Sequence, residues 1–395
     1  MSEWIKCKIS DIGMVVGGAT PSTKKIENYE NGTISWITPK GLSTFSGRYI
    51  HRGERNITEI GLKSCSTQLL PRNTVLFSSR APIGYVAIAA NDLCTNQGFK
   101  SVIPNENVEP LFLYYLLKYN KDKIESMGSG TTFKEVSGST MKNIEVSIPI
   151  DKKLQEKIAS VLCSIDDKIE LNERVNNNLL EQALTIYSKQ FAALDRNGHI
   201  GDYCSVKSGF AFKSSWWTTT GVKVIKIGSI NQDNLNLLEC SYVDEDKIDK
   251  AKDFKVNAGD LLIAMTGATI GKFAIVPYSS NTLLVNQRVG KFFLGNNPIE
   301  KLPFIYCTLK QPDVYCEIVN RGQGSAQPNI SASEIISIPC VIPSKEAINK
   351  FNETIQPLFD LIISNQRENH QLSTLRDSLL PKLISGELDV SNIDF

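Results

Sequence analysis

Histidine is scarce in this chain of 395 residues, with His51, His199 and His370 the only three. Cysteine is present but unorganised. Cys7, Cys65, Cys94, Cys163, Cys204, Cys240, Cys307, Cys316 and Cys340 are odd in number and never spaced C-x-x-C. That pattern suggests neither a disulfide framework nor a zinc site, and it fits a reducing cytoplasm. Long apolar runs are missing too. None approaches membrane-spanning length, and the opening "MSEWIKCKIS" has no apolar h-region, so no membrane association is expected. Nor is there an excess of one charge. Lys and Arg number 43 against 42 Asp and Glu, a formal net charge of +1. Such a balance predicts no strong nonspecific grip on DNA by this chain alone.

What the sequence does have is itself, twice. "ISWITPKGL" at Ile34 matches "VKVIKIGSI" at Val222, an offset of 188. "LLPRNTVLFSSRAPIGYVAIA" from Leu69 matches "VNAGDLLIAMTGATIGKFAIV" from Val256 at 187, and "TNQ" at Thr95 matches "VNQ" at Val285 at 190. "GSGTTFKEVS" at Gly128 and "GQGSAQPNIS" at Gly322, then "VSIPI" at Val146 and "CVIPS" at Cys340, both align at 194. Collinear matches with slowly drifting offsets indicate a tandem duplication with loop insertions. Each half carries short β-branched and aromatic runs broken by Gly, Pro and Asn, which read as strands and hairpins. A short helix, a Gly-rich loop and one more strand follow, and then a long polar helix.

The long helices have a heptad seam. Ile158, Ile165, Asn172, Leu179 and Ile186 recur every seven residues, as do Leu162, Ile169, Asn176, Ala183 and Gln190. In the second helix the series are Phe351, Leu358, Asn365, Leu372, Leu379 and Ile355, Ile362, Asn369, Arg376, Leu383, a constant 193 later. Asparagine is a poor core residue because its amide needs partners once buried. If the helices pack antiparallel, their midpoints meet and Asn172, Asn176, Asn365 and Asn369 can bond one another, fixing register at some cost in stability. Pro357 is expected to remove one helical hydrogen bond and kink the second helix.

Catalytic motifs are nearly absent. "GATIGKF" from Gly267 is one spacer short of a phosphate-binding loop and lacks a Ser or Thr after Lys272. "PDVYCEIV" from Pro312 has too few residues between its carboxylates for a nuclease set and no following Lys. No Gly-rich fingerprint or Asn/Asp-Pro-Pro-aromatic tetrad marks a methyltransferase, and no histidine recurs in both halves. No enzyme is expected, and no metal site or cofactor in this chain.

A duplicated β-rich module with a long helix after each copy resembles the specificity (S) subunit of type I restriction-modification systems. The most specific matches are "VSIPIDKKLQEKIASVLCSIDDKIELNERVNNNLLEQA", with Pro149, Glu156, Ile158, Ala159, Leu162, Asp166, Asp167 and Ile169, and the C-terminal "LRDSLLPKLISGEL". The second copy departs from the pattern, with Phe351 and Asn352 standing where Ile158 and Ala159 stand. The openings "WIKCKISDIGMVVGGATPS" and "IGDYCSVKSGFAFKS" also look like the family's module starts.

The resemblance implies an α+β fold: two duplicated β-rich target-recognition domains separated by two long helices forming an antiparallel coiled coil. The expected division is 1–148 and 195–342 for the domains, 149–194 and 343–395 for the helices and tail. It also implies a non-catalytic DNA reader, each domain taking half of a bipartite, asymmetric double-stranded site. The helices, about 40 residues or about 60 Å each, would set the gap. DNA-methyltransferase (M) subunits would supply adenine methylation with S-adenosylmethionine. Restriction and translocase (R) subunits would supply ATP- and Mg-dependent translocation and cleavage.

Base reading needs donors and acceptors on loops, typically Arg or Lys to guanine and Asn or Gln to adenine. Candidates in the first module are Lys40, Ser79, Arg80, Thr132 and Lys134. In the second they are Lys213, Lys226, Ser229, Thr266, Arg288, Gln323 and Gln327. Asn96 with Gln97 and Asn286 with Gln287 occur in both modules and read better as shared scaffold, because readers of different half-sites should differ. Arg80 and Arg288 sit at non-equivalent positions and read better as contacts. A stand-alone DNA-binding regulator, which should be basic, and a coiled-coil scaffold without nucleic acid stay open as alternatives.

Overall fold

A computed structural model describes residues 3–393 apart from Thr44, Ser46, Ala81, 131–133, Gln232 and 324–327. The candidates Thr132 and Gln327 lie outside the described residues. The chain divides into two compact units, Met1–Asp167 with Ser373–Phe395, and Lys168–Leu372.

In the first unit, "VLFSS" forms the strand Val75–Ser79, buried at every residue. A short, uninterrupted run of this kind fits a strand covered on both faces. It lies third in a five-stranded sheet ordered Gly13–Gly17, Lys100–Pro104, Val75–Ser79, Ile83–Ala89, Tyr49–Ile50. A three-stranded sheet, Arg55–Ile57, Ile34–Ile37, Cys94–Thr95, sits in the same module. The module's ends close on each other: Trp4–Lys8 pairs antiparallel with Glu145–Pro149, Lys8 opposite Glu145.

The second unit repeats the plan. A four-stranded sheet runs Ser205–Ser208, Val289–Phe293, Leu261–Ala264, Phe273–Ile275. A five-stranded sheet runs Trp217–Thr218, Ser241–Val243, Val222–Ile225, Leu283–Val285, Lys255–Val256. Gly198–His199 and Pro339–Cys340 close its ends. Equivalent hydrogen bonds mark the duplication: the Ile9 amide donates to Ile144 at 3.0 Å and the Ile200 amide to Ile338 at 3.1 Å.

One sequence match is out of register by a residue. The amides of Asn73 and Gly259 donate to the carbonyls of Ala89 and Val276, whose own amides donate back to Thr74 and Asp260. The strand therefore corresponds at an offset of 186 rather than 187, which is reached only from Ile83 and Ile270 onward. The second module's hairpin turn holds the extra residue. Consequently Ser79 corresponds to Met265, and Arg80 to Thr266. Both hairpins then enter their return strands through a glycine of positive φ, Gly84 at 99° and Gly271 at 81°, a region disfavoured for other residues.

The long helices are Lys152–Phe191 and Lys345–Ile384, 40 residues each, the second continuous through Pro357. Within the second unit Asn172 donates to Asn369 at 2.8 Å and Asn365 donates to Asn176 at 2.8 Å. Partner numbers run in opposite directions, so the pairing is antiparallel. Glu368 adds a second acceptor for Asn172 at 2.7 Å, and Lys168 pairs with Glu368 at 3.2 Å. The Asn172 hydrogen bond is the main cause that lowers the Glu368 pKa, because it favours the carboxylate.

In the first unit, the helix segments meet through an ionic group. Arg376 donates to Asp166 at 2.8 Å, and the buried Tyr115 hydroxyl donates to the other Asp166 oxygen at 2.7 Å. Burial, then the Asp166 charge, raises the Tyr115 pKa. Burial lowers the Lys118 pKa, with Arg376 adding to the effect. Arg48, itself buried, reaches Asp167 and the Cys163 carbonyl. The first module's main core also takes in Leu383, Ile384 and Val390 from the chain's end.

Candidate nucleic-acid interface

Each module brings three segments together at the end of its central strand. In the first, the Ser79 amide donates to Gly98 at 2.7 Å and the Val136 amide donates to Ser79 at 3.0 Å. In the second, the Met265 amide donates to Arg288 at 3.0 Å and the Ile330 amide to Met265 at 2.9 Å. The backbone frame is the same, but the side chains on it differ. The residue after this hydrogen-bonded position (Ser79 or Met265) is Arg80 in one module and Thr266 in the other. The residue before the returning segment is Glu135 or Asn329.

In the first module the frame carries charge. Glu135 sits 3.5 Å from the Arg80 guanidinium with one oxygen and 3.3 Å from Lys100 with the other. Two cations share one carboxylate, leaving a net positive site. Lys134 is exposed beside it. In the second module the frame borders a cleft of about 800 Å³ lined by Met265, Thr266, Gln287, Arg288 and Asn329 among others. Arg288 is exposed, and its guanidinium has no partner among the described residues.

A second feature adjoins this cleft. Lys226 lies 3.6 Å from the Trp217 ring centroid, and Lys213, Lys247 and Lys250 lie 5.8, 5.6 and 5.2 Å from that of Trp216. These are cation–π distances. Burial lowers the Lys226 pKa. Phe210 stacks on Trp216 with centroids 6.1 Å apart, and its carbonyl accepts the Gln287 amide at 2.9 Å, tying the aromatic patch to the cleft. Lysines interleaved with aromatics offer charge for phosphate and flat faces for bases or sugars.

The predicted candidates separate accordingly. Arg80 and Lys134 fall at the first frame, Thr266 and Arg288 at the second, Lys213 and Lys226 on the aromatic patch. Gln323 is exposed at the end of the helix Pro312–Gly322. Lys40 is exposed but pairs with Glu54 at 3.3 Å. Ser79 and Ser229 are corrections: both are fully buried, and the Ser229 hydroxyl donates to the Glu239 carbonyl at 3.3 Å. Neither presents a group to solvent. Asn96 and Asn286 are turn residues. Each takes an amide two residues on, from Gly98 at 2.9 Å and Arg288 at 3.4 Å, and each donates its own amide at 3.0 Å, to Ile37 and Ile225.

Lys100, Glu135, Asn329, Trp216, Trp217, Lys247 and Lys250 escaped the sequence reading. "SSWW" followed by lysines was a visible signal for the patch. Lys100 and Glu135, far apart in the chain, left none. Among the described residues no cluster of side chains is arranged to hold a metal ion, and no helix is long and apolar enough to cross a membrane.

Residues 1–181 and 197–374 match the family described as Type I restriction modification DNA specificity domain. The chain is 35% identical to the Type I restriction enzyme MjaIX specificity subunit of Methanocaldococcus jannaschii, over 99% of this chain and 95% of that protein. It is 22% identical to the HindI specificity subunit of Haemophilus influenzae, over 98% of this chain and all 100% of the other. Its fold is similar to the crystal structure of a type I restriction-modification S subunit from M. genitalium. The TM-score there is 0.53 at 18% identity, covering 99% of this chain and 97% of that one.

Proposed function

This chain belongs to the type I restriction-modification DNA specificity family, and from that premise we propose that each module reads one half of a bipartite, asymmetric DNA site. The length of the paired helices sets the gap between the two half-sites. The chain is the non-catalytic DNA-recognition subunit, acting on double-stranded DNA with M and R subunits that carry out the chemistry. The observation that supports two independent readers is the repeated frame itself. One set of backbone hydrogen bonds carries Arg80 and Glu135 in the first module, but Thr266 and Asn329 in the second.

A net charge of +1 supplies little phosphate attraction, so affinity depends on the partners. The test is a salt titration of binding to duplexes with both half-sites intact or either one scrambled, with and without the M subunit. Weak binding alone, tight binding in the complex and loss on scrambling either half are expected. Tight, sequence-specific binding by the isolated chain at physiological salt would favour a stand-alone regulator instead.

A further inference from the structure

We infer that the two tip positions of the frame determine which base pair each module reads there. Arg80 with Glu135 selects a G·C pair in the first half-site, and Asn329 with Thr266 selects an A·T pair in the second. This rests on the half-site reading above and goes further by assigning chemistry to positions.

The first pair presents a donor beside an acceptor. Arginine donates to guanine O6 and N7, while a carboxylate accepts from cytosine N4, so an Arg–Glu couple matches both edges of one G·C pair in the major groove. Side-chain exposures of 36% and 39% and a 3.5 Å separation make this a weak surface ion pair, which a base edge can replace. Lys100, only 15% exposed, holds the other Glu135 oxygen and limits its rotation. The carboxylate therefore stays aimed when Arg80 moves to DNA.

The second pair is neutral. Asn329 is exposed, and its amide has no side-chain partner among the described residues. A free asparagine amide matches adenine N6 and N7. The Thr266 hydroxyl is buried without a partner among the described residues, although the residue lines the cleft, which leaves its methyl as the face toward a ligand. A methyl there suits the thymine C5-methyl group. A bridge between Thr266 and Asn329 keeps the two side by side. The single arginine of this frame has meanwhile moved to Arg288, at the position corresponding to Gly98.

The experiment exchanges the pairs in the assembled complex with its methyltransferase partner. Arg80→Thr with Glu135→Asn puts the second module's pair in the first. Thr266→Arg with Asn329→Glu does the reverse. Binding competition with single-substituted duplexes, together with sequencing of the methylated adenines, reads the result. The expected change is from G·C to A·T preference, by about tenfold or more, at one position of the first half-site for the first variant, with the reverse change in the second half-site for the other. An unchanged site, or changes in both half-sites for one variant, would overturn the inference. If the exchanged proteins do not assemble, Glu135→Gln and Asn329→Asp keep shape and change the charge and hydrogen-bonding pattern at one position each. Each should reduce discrimination at one position, and undiminished discrimination would overturn it. A parent complex with no bipartite site would sink the half-site reading, a result distinct from a failed exchange.

Discussion

The two modules meet the long helices at corresponding positions with opposite chemistry. At one junction Asp166 and Arg376 form a partly buried ion pair, with Tyr115 donating to the carboxylate. The offset of 193 carries Asp166 to Phe359 and Ala183 to Arg376. Phe359 is fully buried and packs edge-on against Tyr306 at 5.3 Å, and Ala183 is fully buried in the same core. One duplicated backbone thus closes over an ion pair in one copy and over packed rings in the other. The duplication preserves the frame and leaves its side chains free to diverge, at the junctions as at the ends of the central strands.

The largest effect should come from breaking the ionic junction on one side. Asp166→Ala leaves Arg376 without its main buried partner, and destabilisation of about 3–5 kcal/mol is expected in thermal unfolding. Replacing the whole group with apolar residues (Tyr115→Phe, Asp166→Phe, Arg376→Ala) imitates the other junction and should recover most of that loss. If the triple variant were no more stable than Asp166→Ala, the two junctions would not be interchangeable solutions.

The asparagine seam sharpens the comparison, because here both copies keep the same residue. Changing Asn172, Asn176, Asn365 and Asn369 together to Leu should raise the melting temperature while loosening register or oligomeric state, measurable by cross-linking and sizing. A variant that lost stability yet kept one register would contradict a register role for the amides.

Among the described residues the lysine–tryptophan patch belongs to the second module, so its lysines should act on one half-site more than the other. Lys226→Ala or Lys250→Ala should each lower the slope of log affinity against log salt by about 1 in the assembled complex. Lys40→Ala, which removes a cation already paired with Glu54, should change it less. Equal effects would argue against phosphate contact at the patch.

The smallest effect concerns His370, in the second unit only. Burial, aided by the Lys223 charge, lowers its pKa below 6.5. The unfolded chain then takes the proton more readily, so the stability from the neutral imidazole is complete above pH 6.5 and lost as pH falls through the folded value. His370→Gln should flatten unfolding curves over that window. An unchanged pH dependence would show that the lowered pKa has no consequence for stability.

Much of this architecture was legible because periodicity is a strong signal. The heptads from Ile158 and Phe351 and the collinear repeats led directly to helices and duplicated sheets. What could not be read was local register and burial. A single added residue in the hairpin before Ile270 shifted Thr266 from Ser79 to Arg80 as its counterpart. Ser229 reads from the sequence as a polar loop position, yet it lies in the core with its hydroxyl donated to the Glu239 carbonyl. Glu135 joins Lys100 and Arg80 only through sheet pairing, so no window of sequence contains the site.

The most direct test of two independent readers is the methylation map of a host expressing this chain with its M and R partners, before and after residues 1–148 are replaced by another family member's first module. Because each frame carries its own side chains, the expected map keeps one half-site and the spacer and changes the other half-site alone. A map in which both half-sites change, or neither does, would contradict independent reading by the two modules.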